Sequence, residues 1–204
     1  VCSSDLVTRG DADIIIVSQE GNAIKFNEQD VRPMGRTASG VKSMNLREND
    51  IAVCMDIAVD DEELLVISEN GYGKRTPVSE YKRQNRGGVG LITYKISEKT
   101  GKVVGAIVCK NDDELMLINT SGIAIRINVS DISVTSRSAM GVRLMRTSEE
   151  EKVVAIAKIA KTGDEEKDEQ LSLEACADNE VVEANKDTSL DRLVEESQKE
   201  ETEE

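Results

Sequence analysis

The 204-residue sequence predicts an all-β fold, a repeat array of four-stranded blades followed by an acidic tail. The first observation is an internal period of about 50 residues, which is typical of stacked modules. The second is a set of short apolar runs without helical 3.6-residue periodicity: IIIV at 14–17, LLVI at 64–67 and LMLI at 115–118. The third is a net charge of −14 that is concentrated at one end of the chain.

The repeat is defined by positions that recur at identical spacings in three copies. An apolar strand begins seven residues before a turn glycine, a basic residue follows that glycine by four, an arginine by fifteen and a second glycine by nineteen. In chain order these residues are Gly21, Lys25, Arg36 and Gly40, then Gly71, Arg75, Arg86 and Gly90, then Gly122, Arg126, Arg137 and Gly141.

The strands are predicted in the same order in each copy. The first glycine closes a polar turn, SQEG, SENG or NTSG, where positive φ favours glycine and a hairpin is expected. After the second glycine, the runs VKSMNL, LITYKI and VRLMRT predict a third strand. A loop of variable length then leads to a fourth, small-residue strand: IAVCMDIAV, VVGAIVC or VVAIAKIA. We therefore place the three blades at about 9–60, 61–111 and 112–163.

The two ends of the chain are interpreted separately. The opening VCSSDL resembles the translation of a common sequencing-adapter end, so residues 1–8 are excluded from the predicted fold and we expect the true chain to begin further upstream. Residues 164–204 hold 17 acidic and 4 basic residues, and we predict that this tail is disordered.

The composition excludes several classes of function. There is no histidine and no CxxC pair among the four cysteines, so the familiar zinc spacings and Ser-His or Cys-His catalysis are absent from this chain. We predict no catalytic residue and no metal site, and we expect Cys54 and Cys109 to be small buried residues. No apolar run reaches the roughly 18 residues that span a bilayer and no signal peptide opens the chain, so we expect a cytoplasmic protein without a membrane partner.

Basic residues are gathered in equivalent parts of the repeats. Residues 21–46, 71–95 and 122–147, here called the basic rim, hold 14 basic and 4 acidic residues, although residues 1–163 as a whole have a net charge of −1. Segments that repeat in register should lie at equivalent places of the assembly, where Lys and Arg suit the phosphates of duplex DNA. A protein-interaction scaffold is the alternative. Tyr72, Tyr81 and Tyr94 all lie in one repeat, which favours duplexes over stacked single strands.

The predicted DNA contacts come from all three copies. The arginines fifteen residues after each turn have an alternative role, bracing their own loops through backbone carbonyls. The complete set is Lys25, Arg36 and Lys42, then Lys74, Arg75, Lys82, Arg83 and Arg86, then Arg126, Arg137 and Arg143.

Three segments carry a family resemblance. GNAIKFNEQDVRPMGRTASGV, ENGYGKRTPVSEY and SGIAIRINVSDISVTSRSAMGVRLMR resemble successive blades of the C-terminal domain of DNA gyrase A, which is part of a type IIA topoisomerase, over roughly residues 9 to 160. The resemblance implies a β-pinwheel, usually of six blades that exchange strands with their neighbours, whose perimeter wraps duplex DNA for negative supercoiling. It also implies three blades here, nucleoid association, ATP and Mg bound elsewhere in the holoenzyme, and as partners the gyrase B protein with the rest of gyrase A.

The sequence also departs from that family. Its signature box of glutamine, two arginines, two glycines, lysine and glycine is absent, and Gln84 to Gly90 is only a degenerate echo of it. The C-terminal domain of topoisomerase IV is the related alternative. Two hypotheses remain for the acidic tail: it competes with DNA for the basic rim, or it only increases solubility.

Overall fold

The computed structural model describes residues 6–148 and 150–159, so the predicted tail at 164–204 lies outside the described residues. Eleven strands are found there, in sequence order: β1 Asp13–Ser18, β2 Asn22–Asn27, β3 Ala52–Ile57, β4 Glu63–Ser68, β5 Tyr72–Pro77, β6 Leu91–Ile92, β7 Val103–Cys109, β8 Glu114–Asn119, β9 Ala124–Asn128, β10 Val142–Arg143 and β11 Val153–Ile159. One-turn 3₁₀ helices follow the second strand of each repeat: Glu28–Asp30, Val78–Glu80 and Val129–Asp131. Within the same residues no helix is long and apolar enough to span a bilayer.

The strands form three antiparallel sheets. The first blade has the order β3-β1-β2-β6, the second β10-β5-β4-β7 and the third β11-β8-β9. The edge strand β6 of the first blade comes from the second repeat, and the edge strand β10 of the second blade comes from the third repeat. Successive blades are therefore linked by strand exchange.

The prediction of a third strand within each repeat is partly wrong. Only two residues of LITYKI and two of VRLMRT are strand, and each pair hydrogen-bonds to the blade before its own. The equivalent run at 41–46 forms no strand. A strand needs backbone partners, and a preceding sheet supplies them only to the second and third repeats in the described chain.

The blades stack face to face through alternating side chains of their central strands. Ile15 and Val17 of β1 share one apolar cluster with Leu64 and Val66 of β4. The alternate residues of β4, Leu65 and Ile67, join Leu115 and Leu117 of β8 in a second cluster. Successive residues of a strand point to opposite faces, so the continuous apolar runs in the sequence bury both faces of a blade.

The inner edge of the array is formed by the last strand of each repeat. The strand β7 packs against β3 on one side and β11 on the other. A cavity of about 390 Å³ lies among these three strands and is lined by Val53, Gly105 and Ala155. The outer half of the sheets is therefore formed by the second strand of each repeat (β2, β5 and β9) and by the exchanged strands β6 and β10.

Candidate nucleic-acid interface

The basic rim lies on this outer half. Each of its segments contains the second strand of a repeat, and those of the second and third repeats also contain the run that pairs with the preceding blade. The inner strands and the loops beside them carry most of the acidic residues of the blades. The separation of charge along the sequence therefore becomes a separation between the outside and the inside of the array.

Two of the predicted DNA contacts are buried and held in ion pairs. The Nζ of Lys25 lies 2.5 Å from Oδ1 of Asp60. The guanidinium of Arg75 lies 2.7 Å from Oε2 of Glu63 and donates to the carbonyl of Ile132 at 2.7 Å. Both side chains are about 6% exposed, so we leave them out of the interface.

Lys74 is also buried, at 0% exposure. Its Nζ donates to the carbonyl of Ser136 at 2.6 Å and to that of Arg137. Burial lowers the pKa of Lys74 to about 8, because removal from water disfavours the ammonium form. Lys74 therefore joins the second strand of one repeat to a loop of the next.

The arginines fifteen residues after the turn reach backwards across the junctions between blades. Arg86 donates from Nε to the carbonyl of Asp30 at 2.9 Å and from Nη1 to that of Lys42 at 3.0 Å. Arg137 lies 4.0 Å from Oε2 of Glu80 and 6.0 Å from the ring centroid of Tyr81. The alternative role, in which these arginines brace their own loops, is not found; Arg86 and Arg137 contact the preceding repeat instead.

The third member of this set, Arg36, has an exposed side chain. In residues 6–148 and 150–159 it has no hydrogen bond or ion pair, and neither does the exposed Lys82. Lys42 is exposed and donates to Oδ1 of Asn45 at 2.7 Å. These three cations face solvent with little or no neutralisation.

The remaining predicted contacts are exposed and carry one partner each. Arg83 lies 2.8 Å from a carboxylate oxygen of Asp13, and Arg126 pairs with Glu114. Surface ion pairs of this kind contribute little to stability and exchange readily for a phosphate. These guanidinium groups therefore stay available at the outer surface.

Arg143 contacts an aromatic side chain. It donates from Nη2 at 2.7 Å and from Nε at 3.2 Å to the hydroxyl of Tyr72. Sequence reasoning missed Lys99, whose Nζ lies 5.4 Å from the centroid of the same ring. Lys99 falls in the loop of variable length, where the repeat spacing gives no signal.

The six turn glycines all have positive φ, between 75° and 83°. At the first junction, a Cβ on Gly21 would meet the carbonyl oxygen of Tyr94 at 2.5 Å, and one on Gly90 would meet that of Ala23 at 2.5 Å. Gly71 and Gly141 are as tightly enclosed at the second junction. Gly40 and Gly122 have nothing within 4 Å of that position.

The expectation for the cysteines is confirmed for Cys109, which is buried, and burial raises the pKa of its thiol to about 12. Cys54 is only half-buried, at the edge of the first cluster. Neither observation supports a nucleophilic role for Cys54 or Cys109 at the basic rim.

Comparison with known sequences finds three matched segments in this chain. The family profile described as "DNA gyrase C-terminal domain, beta-propeller" matches residues 12–53, 62–110 and 113–160. The DNA gyrase A protein of Clostridium acetobutylicum is 58% identical over 160 residues, which are 78% of this chain and 19% of that protein. The DNA gyrase A protein of Staphylococcus aureus is 43% identical over 168 residues, 81% of this chain and 19% of that protein. The chain thus spans about a fifth of the length of these relatives.

Solved structures share the fold. A DNA gyrase A C-terminal domain superposes with a TM-score of 0.71 at 34% identity, covering 76% of this chain and 52% of that one. The C-terminal domain of a DNA topoisomerase IV gives the same TM-score at 26% identity, covering 76% of this chain and 48% of that one. The profile match to all three repeats and the identity to gyrase A proteins place this chain in the DNA gyrase C-terminal domain family.

Proposed function

We propose that this chain is the DNA-binding and DNA-wrapping part of a gyrase A protein, and that it supports ATP-dependent negative supercoiling of duplex DNA by the holoenzyme. The observation that carries the proposal is the position of the basic rim on the outer half of the sheets, repeated in register from blade to blade. A duplex that follows this outer surface meets Lys and Arg side chains at each blade.

The interface consists of the predicted cations that the fold leaves accessible. Phosphates are bound by charge and hydrogen bonds without reading of bases, so binding is independent of sequence and releases counterions. The proposed contacts are Arg36, Lys42, Lys82, Arg83, Arg86, Arg126, Arg137 and Arg143.

The buried cations have a different task in this mechanism. Lys74 and Arg75 bind backbone carbonyls of the third repeat and fix the loop after β9 against the second blade. Arg86, which is only half-buried and also belongs to the proposed interface, fixes the first-repeat loop in the corresponding way. The rim segments of neighbouring blades are thereby held in a constant relative position, which a stiff duplex requires in order to contact several of them together.

The chemical steps of supercoiling belong to other parts of the holoenzyme in this proposal. Strand breakage, ATP hydrolysis and Mg binding are assigned to the rest of gyrase A and to gyrase B, and this chain supplies no catalytic residue. The working compartment is the bacterial cytoplasm, at the nucleoid.

The test is binding of the whole chain to a duplex fragment across a salt series. We expect sequence-independent binding, with affinity falling steeply as salt rises, because several cations displace counterions. Lys82→Ala should reduce the salt slope by about 1 without changing thermal stability. A folded chain that shows no duplex binding at low salt would contradict the proposal and favour a protein-interaction scaffold.

The acidic tail adds a second comparison. If residues 164–204 compete with DNA for the basic rim, their removal should raise affinity at low salt and leave it unchanged at high salt, where charge attraction is screened. Equal affinity with and without the tail at low salt would leave solubility as its role.

A further inference from the structure

A polar pocket of about 290 Å³ opens between the second and third blades. We call it the junction pocket, and the side chains that matter are Tyr72, Lys99, Arg143, Lys152 and Glu98. Since a water molecule occupies roughly 30 Å³ in the liquid, the pocket has room for a phosphate group and several waters.

Two cations converge on a single tyrosine in this pocket. The guanidinium carbon of Arg143 lies 5.1 Å from the ring centroid of Tyr72, and the Nζ of Lys99 lies 5.4 Å from it. The hydroxyl of Tyr72 accepts both hydrogen bonds from Arg143. In the described part of the chain, neither cation forms an ion pair with a carboxylate. The positive charges of Lys99 and Arg143 are therefore not held in a direct ion pair.

A third cation, Lys152, also lines the pocket. The Nζ of Lys152 donates to Oδ1 of Asn70 and lies 4.0 Å from Oε1 of Glu69. Among the described residues that line the pocket, Glu98 is the one acid, against three cations. Thr147 and Ser148 add two hydroxyl groups as possible hydrogen-bond donors. This is the donor set that a phosphate oxygen accepts from.

The first junction lacks this arrangement although its backbone is equivalent. The cross-strand pair Arg143 and Tyr72 of the second junction corresponds to Ile92 and Asn22 of the first. Ile92 is 60% exposed and has no charge. The pocket is therefore a property of these particular side chains and not of the repeat.

We infer that the junction pocket binds one phosphate group of the duplex backbone, held by Arg143 and Lys99 in front of Tyr72. The inference rests on the proposed function and extends it from a general basic surface to a fixed contact. The tyrosine holds the guanidinium in one position before DNA arrives, so Arg143 loses little freedom on binding. One blade junction then sets where the duplex is anchored.

The test compares single alanine variants of the whole chain in duplex binding across a salt series. Lys110→Ala is the control, because Lys110 is exposed, lies outside the basic rim and does not line the pocket. We expect Lys99→Ala and Arg143→Ala each to weaken low-salt binding about three- to tenfold, and Lys110→Ala less than about twofold. The double variant should lower the salt slope by about 1, as loss of a single shared phosphate requires.

Further variants separate binding from folding. Tyr72→Phe keeps the ring and removes the hydroxyl that orients Arg143, so we expect a smaller loss than for Arg143→Ala, and Arg143→Lys should recover part of it. Equal losses for Lys110→Ala and Lys99→Ala would overturn the pocket alone, as would a fall in thermal stability of Arg143→Ala without loss of affinity. Failure of the unaltered chain to bind duplex at low salt would instead overturn the proposed function and the pocket with it.

Discussion

The same repeat positions have different environments at the two blade junctions and at the places where the described chain supplies no neighbouring blade. At the junctions, Gly90 and Gly141 press against backbone of the preceding repeat, and Arg86 and Arg137 reach across to it. At the first repeat, Gly40 has open space beside it and Arg36 makes no described contact.

The comparison distinguishes the backbone conformation that a repeat position adopts by itself from the contacts that a neighbouring blade adds. The positive φ of the glycines is present with and without a neighbouring blade, so it is set locally by the turn. The close approach is present only where another blade supplies the opposing backbone. Variants at equivalent positions therefore measure the contribution of the junction itself, and the following predictions use this in order of decreasing effect.

The largest effect is expected for Gly141→Ala. Its Cβ would collide with the carbonyl of Gly73 in a left-handed conformation, and we expect a loss of about 3 to 4 kcal/mol in the free energy of unfolding. Gly40→Ala, at the equivalent position of the first repeat with φ of 81° and no neighbour, should lose only the backbone strain of about 1 kcal/mol. Urea unfolding of the two variants measures the difference, and similar losses would mean that the second junction does not enclose its glycine.

A smaller effect is expected from pH at the second junction. The pKa of Lys74 falls from 10.5 to about 8 on folding, so between these values the unfolded chain binds more protons and stability rises with pH. We expect the unfolding free energy of the unaltered chain to gain on the order of 2 kcal/mol over Lys74→Met across this window. Urea unfolding at about pH 7.5 and about pH 10 tests this, and a constant difference between the two proteins would show that Lys74 titrates normally.

The third effect compares Arg86→Ala with Arg36→Ala. Removal of Arg86 loses two hydrogen bonds to carbonyls across the first junction, which we expect to cost about 1 to 2 kcal/mol. Removal of Arg36 should leave the unfolding free energy within about 0.5 kcal/mol of the parent. Both variants should reduce the salt slope of DNA binding. If Arg86→Ala changed the DNA affinity and not the unfolding free energy, the hydrogen bonds across the junction would not contribute to stability.

The smallest effect contrasts the two junctions with each other. Ile92→Arg places a guanidinium at the first junction where the second has Arg143, and we expect a two- to threefold gain in duplex affinity, about 0.5 kcal/mol. A charge reversal at the same position, Ile92→Glu, is the control and should weaken binding. No change in either variant would place this part of the first junction away from the DNA path.

Much of the fold could be predicted because the determining signals are local. The turn glycines and the apolar runs before them predicted the hairpins that the structure contains, at the same residues in each repeat. The third strand was harder to predict, since Leu91 and Ile92 pair with Ala23 and Asn22, which belong to the preceding repeat. Alternation of side chains does not reveal which sheet a short edge strand will join.

The exposure of the candidate site residues was predicted less well than the fold. Lys25, Arg75 and Arg126 share one repeat position, and the sequence alone does not distinguish them. Arg75 is buried against the next repeat, where the carbonyl of Ile132 accepts its Nε hydrogen bond. Arg126 remains exposed in the third blade. Identity of position therefore did not predict availability to DNA.

The sequence by itself determined the period, the turns, the apolar central strands and the concentration of basic residues in equivalent segments, because each depends on the preferences of residues close together in the chain. Only the tertiary structure decided which cations face solvent and which join blades, because burial depends on a neighbouring repeat about 50 residues away. The junction pocket follows the same rule, since Tyr72, Lys99 and Arg143 meet only when the third repeat lends its strand to the second blade.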